Sequence, residues 1–436
     1  MCLFMILTLC ISGATVLLMI LSVIFKPYLQ IKKLKIGLYY LITVVGAILL
    51  LATGALPLST ALDGITTPSA VNPIKILALF LSMTLISVFL GDAGFFDWVA
   101  AKLFAVSRGG VKLFILLYLI VAVLTVFTSN DVIILTLTPP ICIFAKRAKI
   151  SPIPYLIGEF VAANTWSMAL IVGNPTNVYI ASGAGIPFLQ YFCDMALPTL
   201  LGGIVSLCIL LALFYKPLTR DVHQDTDELI EPIVVRRTPL ILALIHLGAC
   251  IILLAVSEFI NVEMWLVCTL ICVSLFVFNL IYAILRDKNL THLTGVLKKA
   301  PYELIPFVLS MFIIVLALDH CGFTAILSSA LLTGDGLDGL IIGATSGLSA
   351  NILNNIPMSV LFEKIVVGAN ASAVYGAIIG SNVGAFITPV GALAGIMWNK
   401  ILTEHGVKLS FAKFILYGVA VAIPTLAVSC LTLLIL

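Results

Sequence analysis

Amide and hydroxyl side chains gather at four places in a chain that is otherwise apolar. They are Ser129-Asn130-Asp131, Gly173-Asn174-Pro175-Thr176-Asn177, Asn354-Asn355 just before Pro357, and Gly380-Ser381-Asn382-Val383-Gly384 with Thr388-Pro389-Val390-Gly391 downstream. The candidate lining is Asn130, Asp131, Asn174, Thr176, Asn177, Asn354, Asn355, Ser381, Asn382 and Thr388. Asparagine offers donors and acceptors together, which suits a neutral oxy-compound. A multiply charged anion more often meets Arg or Lys, and neither stands in these motifs. Asp131 is the only carboxylate among them, and its counterpart at the second tip is taken as Asn355. That asymmetry implies one proton- or cation-binding group per chain and marks Asp131 for coupling. Glycine permits unwinding, and proline removes a backbone donor. At such breaks half-helix N-termini carry partial positive charge and freed carbonyls partial negative charge, so a polar solute and a cation can be held together. A single Gly-Pro break is ordinarily a packing kink, and Asp131 alone could cap a helix from Val132. Four breaks at matching positions favour a site.

The elements that position these breaks are membrane helices. The chain has 436 residues, 62% hydrophobic and 10% charged, with mean hydropathy +1.23. No soluble globular class has that composition, and continuous rather than alternating apolar runs exclude a β-barrel. Segments are expected at 3–25, 36–57, 74–91, 111–145, 153–182 (broken), 187–215, 239–257, 262–284, 303–318, 338–369, 372–398 (broken) and 409–436. Around Asp131 each apolar arm falls short of the ~20 residues a crossing needs, and the two together exceed one crossing. An Asp at bilayer depth costs about 2.5–3.5 kcal/mol and normally faces a cavity. The stretch 111–145 therefore reads as a re-entrant hairpin with its tip at 129–131. With the N-terminus outside, only Lys75 and Lys364 of the 23 Lys and Arg fall on the outer side, as the positive-inside rule wants. A single crossing at 111–145 would invert everything downstream and destroy that agreement.

The chain also repeats itself. Leu81-Ser82-Met83 precedes Gly94-Phe95 as Leu309-Ser310-Met311 precedes Gly322-Phe323. Asn164 precedes Gly173 as Asn382 precedes Gly391, and Pro198-Thr199-Leu200 matches Pro424-Thr425-Leu426. An odd number of crossings per half makes the repeats inverted, the symmetry of many secondary transporters with a midplane site. The expected fold is an all-α polytopic membrane protein of two inverted repeats, each with a re-entrant hairpin and a broken helix. Residues 1–215 form the first repeat, 216–238 a charged cytoplasmic linker and 239–436 the second repeat.

Other classes are disfavoured. No H-E-x-x-H, G-x-S-x-G or Walker lysine is present, so no enzyme is expected. A channel would more usually surround a symmetric pore. The net charge of +3 implies no nucleic-acid partner; the partners are the lipid bilayer and a small solute. The ten cysteines lack a C-x-x-C pair and read as buried small hydrophobes. The five histidines lack metal-ligand spacing, so no metal and no cofactor are expected. Residues 1–25 have no basic n-region and too long an apolar run for a signal peptide.

The Asn130-Asp131 tip followed by I-L-x-L-T-P, the G-N-P-T-N break, the N-N-I-P tip and the stretch from Gly380 to Ala394 resemble the ion transporter superfamily. Its ArsB-type arsenite/antimonite efflux permeases resemble the chain most, Gly94-Phe95-Phe96-Asp97-Trp98 included, with NhaD-type sodium/proton antiporters nearby. The resemblance covers nearly the whole chain. It implies an elevator-type fold, often a homodimer, in the cell membrane. It also implies export of neutral arsenite or antimonite against H+, with Na+ the other coupling ion to consider, alone or with a separate ATPase subunit. The remaining alternatives are a sodium/proton antiporter or a permease for another small oxy-solute. Val132 follows the tip where that group often has Gly, and Pro175 stands where it often has an aliphatic residue; these departures concern substrate rather than fold.

Overall fold

A computed structural model describes residues 2–435 apart from 27, 32–33, 68–71, 107–108, 220–234, 258, 288–289 and 335. The first half runs α1 (Cys2–Phe25), a two-stranded ribbon β1 (Tyr28–Ile31) and β2 (Leu34–Gly37), α2 (Leu38–Ala52), α3 (Leu58–Thr66), α4 (Pro73–Asp92), α5 (Phe95–Val106), α6 (Gly110–Phe127), α7 (Asn130–Arg147), α8 (Ile153–Trp166), α9 (Pro175–Gly183), α10 (Phe188–Leu213) and the short α11 (Tyr215–Leu218). The second runs α12 (Arg237–Val256), α13 (Met264–Tyr282), α14 (Thr291–Lys299), α15 (Leu304–His320), α16 (Phe323–Leu331), α17 (Asp338–Leu353), α18 (Asn355–Val366), α19 (Ala371–Val383), α20 (Leu393–Glu404) and α21 (Phe411–Leu431). Among the described residues eight helices are long and apolar enough to cross a membrane. The chain is a multi-pass membrane protein. Large apolar side chains on α12 and α13, such as Ile245, Ile252 and Leu270, point away from the protein, as lipid-facing surface should.

Elements α1–α10 correspond one for one to α12–α21, and their packing obeys the same exchange. α1 packs on α2 as α12 packs on α13, and α2 reaches α15 as α13 reaches α4. α6 lies on α8 as α17 lies on α19. The returning arm α7 crosses to α20, and its counterpart α18 crosses to α9. α10 packs on α21, its own counterpart. Each half has the hairpin (α6–α7 or α17–α18) and the broken helix (α8–α9 or α19–α20), and the exchanged packing relates the two halves as repeats.

Four short helices were not anticipated: α3, α5, α14 and α16. They form matching pairs, and at 9 or 12 residues they are too short to span. They lie between long apolar runs, where hydropathy resolves only a loop. The ribbon takes the first residues of the segment expected from 36. Most of the expected linker, 220–234, lies outside the described residues.

The hairpins turn by different means. After Phe127 the backbone is extended at Thr128 and Ser129, and α7 starts without a side-chain cap. The second turn rests on one residue: Asn354 adopts φ 74°, a conformation that costs a non-glycine about 1–3 kcal/mol. Its side chain offsets that cost. It accepts from Ile356 N and donates to the Val390 carbonyl at 3.0 Å.

Candidate functional site

Two crossing points lie where a half-helix of one repeat meets the other repeat. At the first, the start of α9 meets the end of α19. Asn382 Oδ1 accepts from Ser167 Oγ and from Asn174 Nδ2, both at 2.8 Å. Asn382 Nδ2 donates to Asn177 Oδ1 at 2.7 Å. Asn177 Nδ2 donates to the carbonyls of Ser167 and Leu170. The hydroxyls of Thr176 and Ser381 share a hydrogen bond of 3.0 Å. Asn174, Thr176, Asn177, Ser381 and Asn382 are all buried, so the structure brings together five of the ten residues singled out in the sequence. Their polar atoms largely satisfy one another.

The second crossing point shows what symmetry alone supplies. Asn174 and Ala392 occupy the same extended cap position, with φ/ψ of −148°/140° and −136°/151°. Gly173 N bonds the Leu170 carbonyl as Gly391 N bonds that of Thr388. A side chain at either glycine would strike a carbonyl, that of Ser167 at 2.3 Å or of Ala385 at 2.5 Å, so each break requires glycine. Asn164 and Asn382 both donate back one turn, to Phe160 O and Ile378 O. In this register Asn174, Thr176 and Asn177 correspond to Ala392, Ala394 and Gly395, and the second crossing point is apolar on the α20 side.

The tips obey a register that differs from the one expected. Ile133 N bonds the Ser129 carbonyl, and Met358 N bonds that of Asn354. Ser129 therefore matches Asn354, Asn130 matches Asn355, and Asp131 matches Ile356 rather than Asn355. The shift arises because two consecutive asparagines align with Asn-Asp equally well by identity; only the backbone ladder separates the two registers. Asp131 lies in the first turn of α7, half-buried, where the helix dipole favours its charge. It forms no ion pair among the described residues. Asn130 Nδ2 donates to Asn164 Oδ1 at 3.3 Å. Asn130 Oδ1 and Ser129 Oγ are buried with no partner at all. Native proteins rarely leave such atoms unpaired, and each one calls for an explanation such as a missing ligand.

The remaining candidates seat the second tip and its break. Asn355 N bonds the Gly391 carbonyl, seating the second tip on the second break. Thr388 N and Oγ1 both donate to Asn351 Oδ1, at 2.9 and 2.8 Å. Asn351, Asn164 and Ser167 were missed in the sequence. Asn164 was noted only as a repeat marker, although its spacing to Gly173 is that of Asn382 to Gly391. On α12 and α13, Cys250 and Cys268 have sulfurs 3.8 Å apart, remote in sequence from every break.

A family model described as Citrate transporter (CitMHS) matches residues 29–377. The chain belongs to this family. Relatives bear out the resemblance to arsenite permeases. The Arsenical pump membrane protein of Escherichia coli (strain K12) is 26% identical over 435 residues, 96% of each chain. The Putative arsenical pump membrane protein of Bacillus subtilis (strain 168) is 27% identical over 404 residues, 85% of this chain and 88% of that one. The solved YdaH transporter of Alcanivorax borkumensis has the same fold, with TM-score 0.58 at 12% identity over 99% of this chain and 98% of that one. As a CitMHS member the chain is a membrane transporter.

Proposed function

We propose that the chain is a secondary active transporter that exports a small oxy-solute, arsenite or antimonite, in exchange for protons. The observation that carries this reading is the first tip: Ser129 Oγ and Asn130 Oδ1 buried without partners, beside Asp131, to which no cation is paired among the described residues. A hydroxylated neutral solute donates to both free acceptors. Asp131 takes and gives the proton, so that solute and proton compete for one small site. Asn174, Thr176, Asn177, Ser381 and Asn382, bonded to one another, clasp the two repeats together beside that site, while Asn354, Asn355 and Thr388 hold the second tip on its break. The family model's name speaks of citrate. A citrate-like trianion would call for Arg or Lys, and the chain offers neither at any break.

The protein would lie in the cell membrane with its N-terminus outside and its Lys- and Arg-rich face in the cytoplasm, alone or with a separate ATPase subunit, and often as a homodimer. A second reading draws on the same tip. Hydroxyl, amide and carboxylate oxygens together also suit a hard cation, so a sodium/proton antiporter is the alternative. Purified protein in liposomes decides between them. Arsenite, antimonite and sodium are each offered against an imposed pH gradient. Metalloid movement driven by the gradient without sodium supports the first reading; sodium movement alone replaces it with the second.

A further inference from the structure

The second carboxyl buried in the broken-helix core is Glu159 on α8, fully enclosed. Thr138 of α7 stands with its hydroxyl 3.2 and 3.0 Å from the two carboxyl oxygens. The same hydroxyl lies 2.5 Å from the Ile134 carbonyl. A hydroxyl has one proton to give: turned to Ile134 it leaves the Thr138 oxygen free to accept from a protonated Glu159, and turned the other way it donates to the carboxyl. Its other neighbours are uncharged. The Cys142 thiol faces it from α7, and the Trp398 indole faces it from α20. Phe114 of α6 packs beside it at Gly158. Tyr118 of α6 is engaged with Gly203 and Ser206 of α10, and Tyr375 of α19 with Asp194 of α10. No Lys, Arg or His is paired with Glu159 among the described residues. A contrast is Glu363 on α18, a buried acid of the other repeat, which has Lys364 at 3.3 Å.

We propose that Glu159 is a second proton-carrying carboxyl of the transport cycle, loaded in this conformation and discharged toward the Lys- and Arg-rich face when α20 shifts against α7. The proposal rests on the proton-coupled reading of Asp131. Thr138 lies eight residues along α7 from Asn130 and nine from Arg147, about 12 and 14 Å at helical rise. Glu159 is thus a halfway station between the tip and that face. The device that would accept the ionised form is already present. Trp398 Nε1 faces the carboxyl yet is buried short of full hydrogen-bond geometry with any acceptor, on a ring packed between Phe160 and Phe414. A shift of α20 brings that N–H onto the carboxyl, and rotation of the Thr138 hydroxyl supplies a second donor. The O–H bond of Glu159 breaks, the proton passes to water at the Lys- and Arg-rich face, and the carboxylate is held by two neutral donors until reloaded.

Glu159→Gln mimics the loaded form and cannot discharge, which separates this proposal from a merely structural neutral acid. In liposomes the full-length variant should keep solute/solute counterflow while pH-driven flux falls about a hundredfold, the scale of a lost acid–base group. Infrared difference spectra of the purified protein between about pH 5 and about pH 9, a window that lies around and above ordinary carboxyl values, should contain a protonated-carboxyl band that E159Q lacks and D131N retains. Thr138→Val should shift the pH at which that band disappears. Wild-type pH-driven flux in E159Q, a band that never titrates, or an unshifted band in T138V each overturns the proposal. If wild-type protein moves neither arsenite nor antimonite yet the Glu159 band titrates, the substrate reading falls and the proton site stands.

Discussion

The two crossing points share a backbone and differ in chemistry. At the first, Asn174, Thr176 and Asn177 interlock with Ser381 and Asn382, and nearly every polar atom has a partner. At the second, the equivalent α20 positions are Ala392, Ala394 and Gly395, and the polar groups have moved to the tip of the opposing hairpin, where Ser129 and Asn130 keep unsatisfied acceptors. A satisfied buried network rigidifies, whereas an unsatisfied one is costly until something fills it. On the proposed reading the duplicated fold serves once as a clasp and once as a receptor. The asparagine-rich motif that stands out in the sequence is the clasp.

The largest effect that would test this division is at Asp131. Asp131→Asn keeps the shape and loses the titration. It should reach the membrane and bind solute, yet lose gradient-driven accumulation by about a hundredfold. Asp131→Glu should keep part of the coupling with a displaced pH profile. Concentrative, pH-dependent transport by D131N at the wild-type rate would reduce Asp131 to a residue in a helix first turn and dissolve the contrast. Placing the charge at the structural equivalent, Ile356→Asp, should instead cost several kcal/mol, because that side chain is buried and no cation is paired there.

Next comes a pair of substitutions expected to act oppositely. Asn382→Ala strips partners from Ser167, Asn174 and Asn177 at once, and each group left buried and unpaired costs about 1–3 kcal/mol. Thermal unfolding in detergent should register that loss. Ser129→Ala removes a buried hydroxyl with no partner, so stability should hold or rise, by up to about 1–3 kcal/mol, while solute affinity falls. If N382A proves stable and S129A binds normally, clasp and receptor have been assigned the wrong way round.

A third test concerns thiols, the other plausible metalloid ligands. The close thiol pair among the described cysteines, Cys250 and Cys268, belongs to α12 and α13 rather than to either crossing point. Replacing all ten cysteines by Ser or Ala should leave transport intact in the folded protein. Lost binding in a folded cysteine-free variant would move the receptor to that pair.

The sequence disclosed the hairpins and broken helices because bilayer burial forces every interruption of a hydrophobic run to declare itself. Asp131 between two short arms, and Gly173 and Gly391 at equal spacing from Asn164 and Asn382, could be read without coordinates. The short helices α3, α5, α14 and α16 could not, since nine or twelve residues between long apolar runs read as a loop by hydropathy. Nor could the division between clasp and receptor. Asn130 and Asn177 are the same residue type at similar breaks, and only their partners across the repeat distinguish them. The one-residue register of the second tip was hidden for a related reason: Asn354-Asn355 fits Asn130-Asp131 by identity, while the backbone ladder aligns it with Ser129-Asn130.

The smallest effect lies at the periphery, where the exchange symmetry produces two further contacts of unlike chemistry. At the start of α4, Lys75 pairs with Glu263 at the start of α13, 2.5 Å apart. The equivalent helices α15 and α2 are joined by Tyr39, whose hydroxyl donates to Glu303 at 2.8 Å. The Lys75 ammonium holds the Glu263 carboxyl below its ordinary range. A carboxyl lowered in the folded state contributes stability that is fully present above the unfolded Glu value of about 4.3 and is lost as pH falls through the lower folded value. Glu263 is 57% exposed, so solvent screening keeps the contribution to about 0.2–1 kcal/mol. Glu263→Gln should therefore lower the unfolding temperature slightly at neutral pH, match wild type in acid, and lose its effect in high salt. Tyr39→Phe removes a hydrogen bond that salt does not screen in the same way, and its deficit should persist. Equal salt sensitivity in the two variants would show that the peripheral contacts, unlike the crossing points, have not diverged in kind.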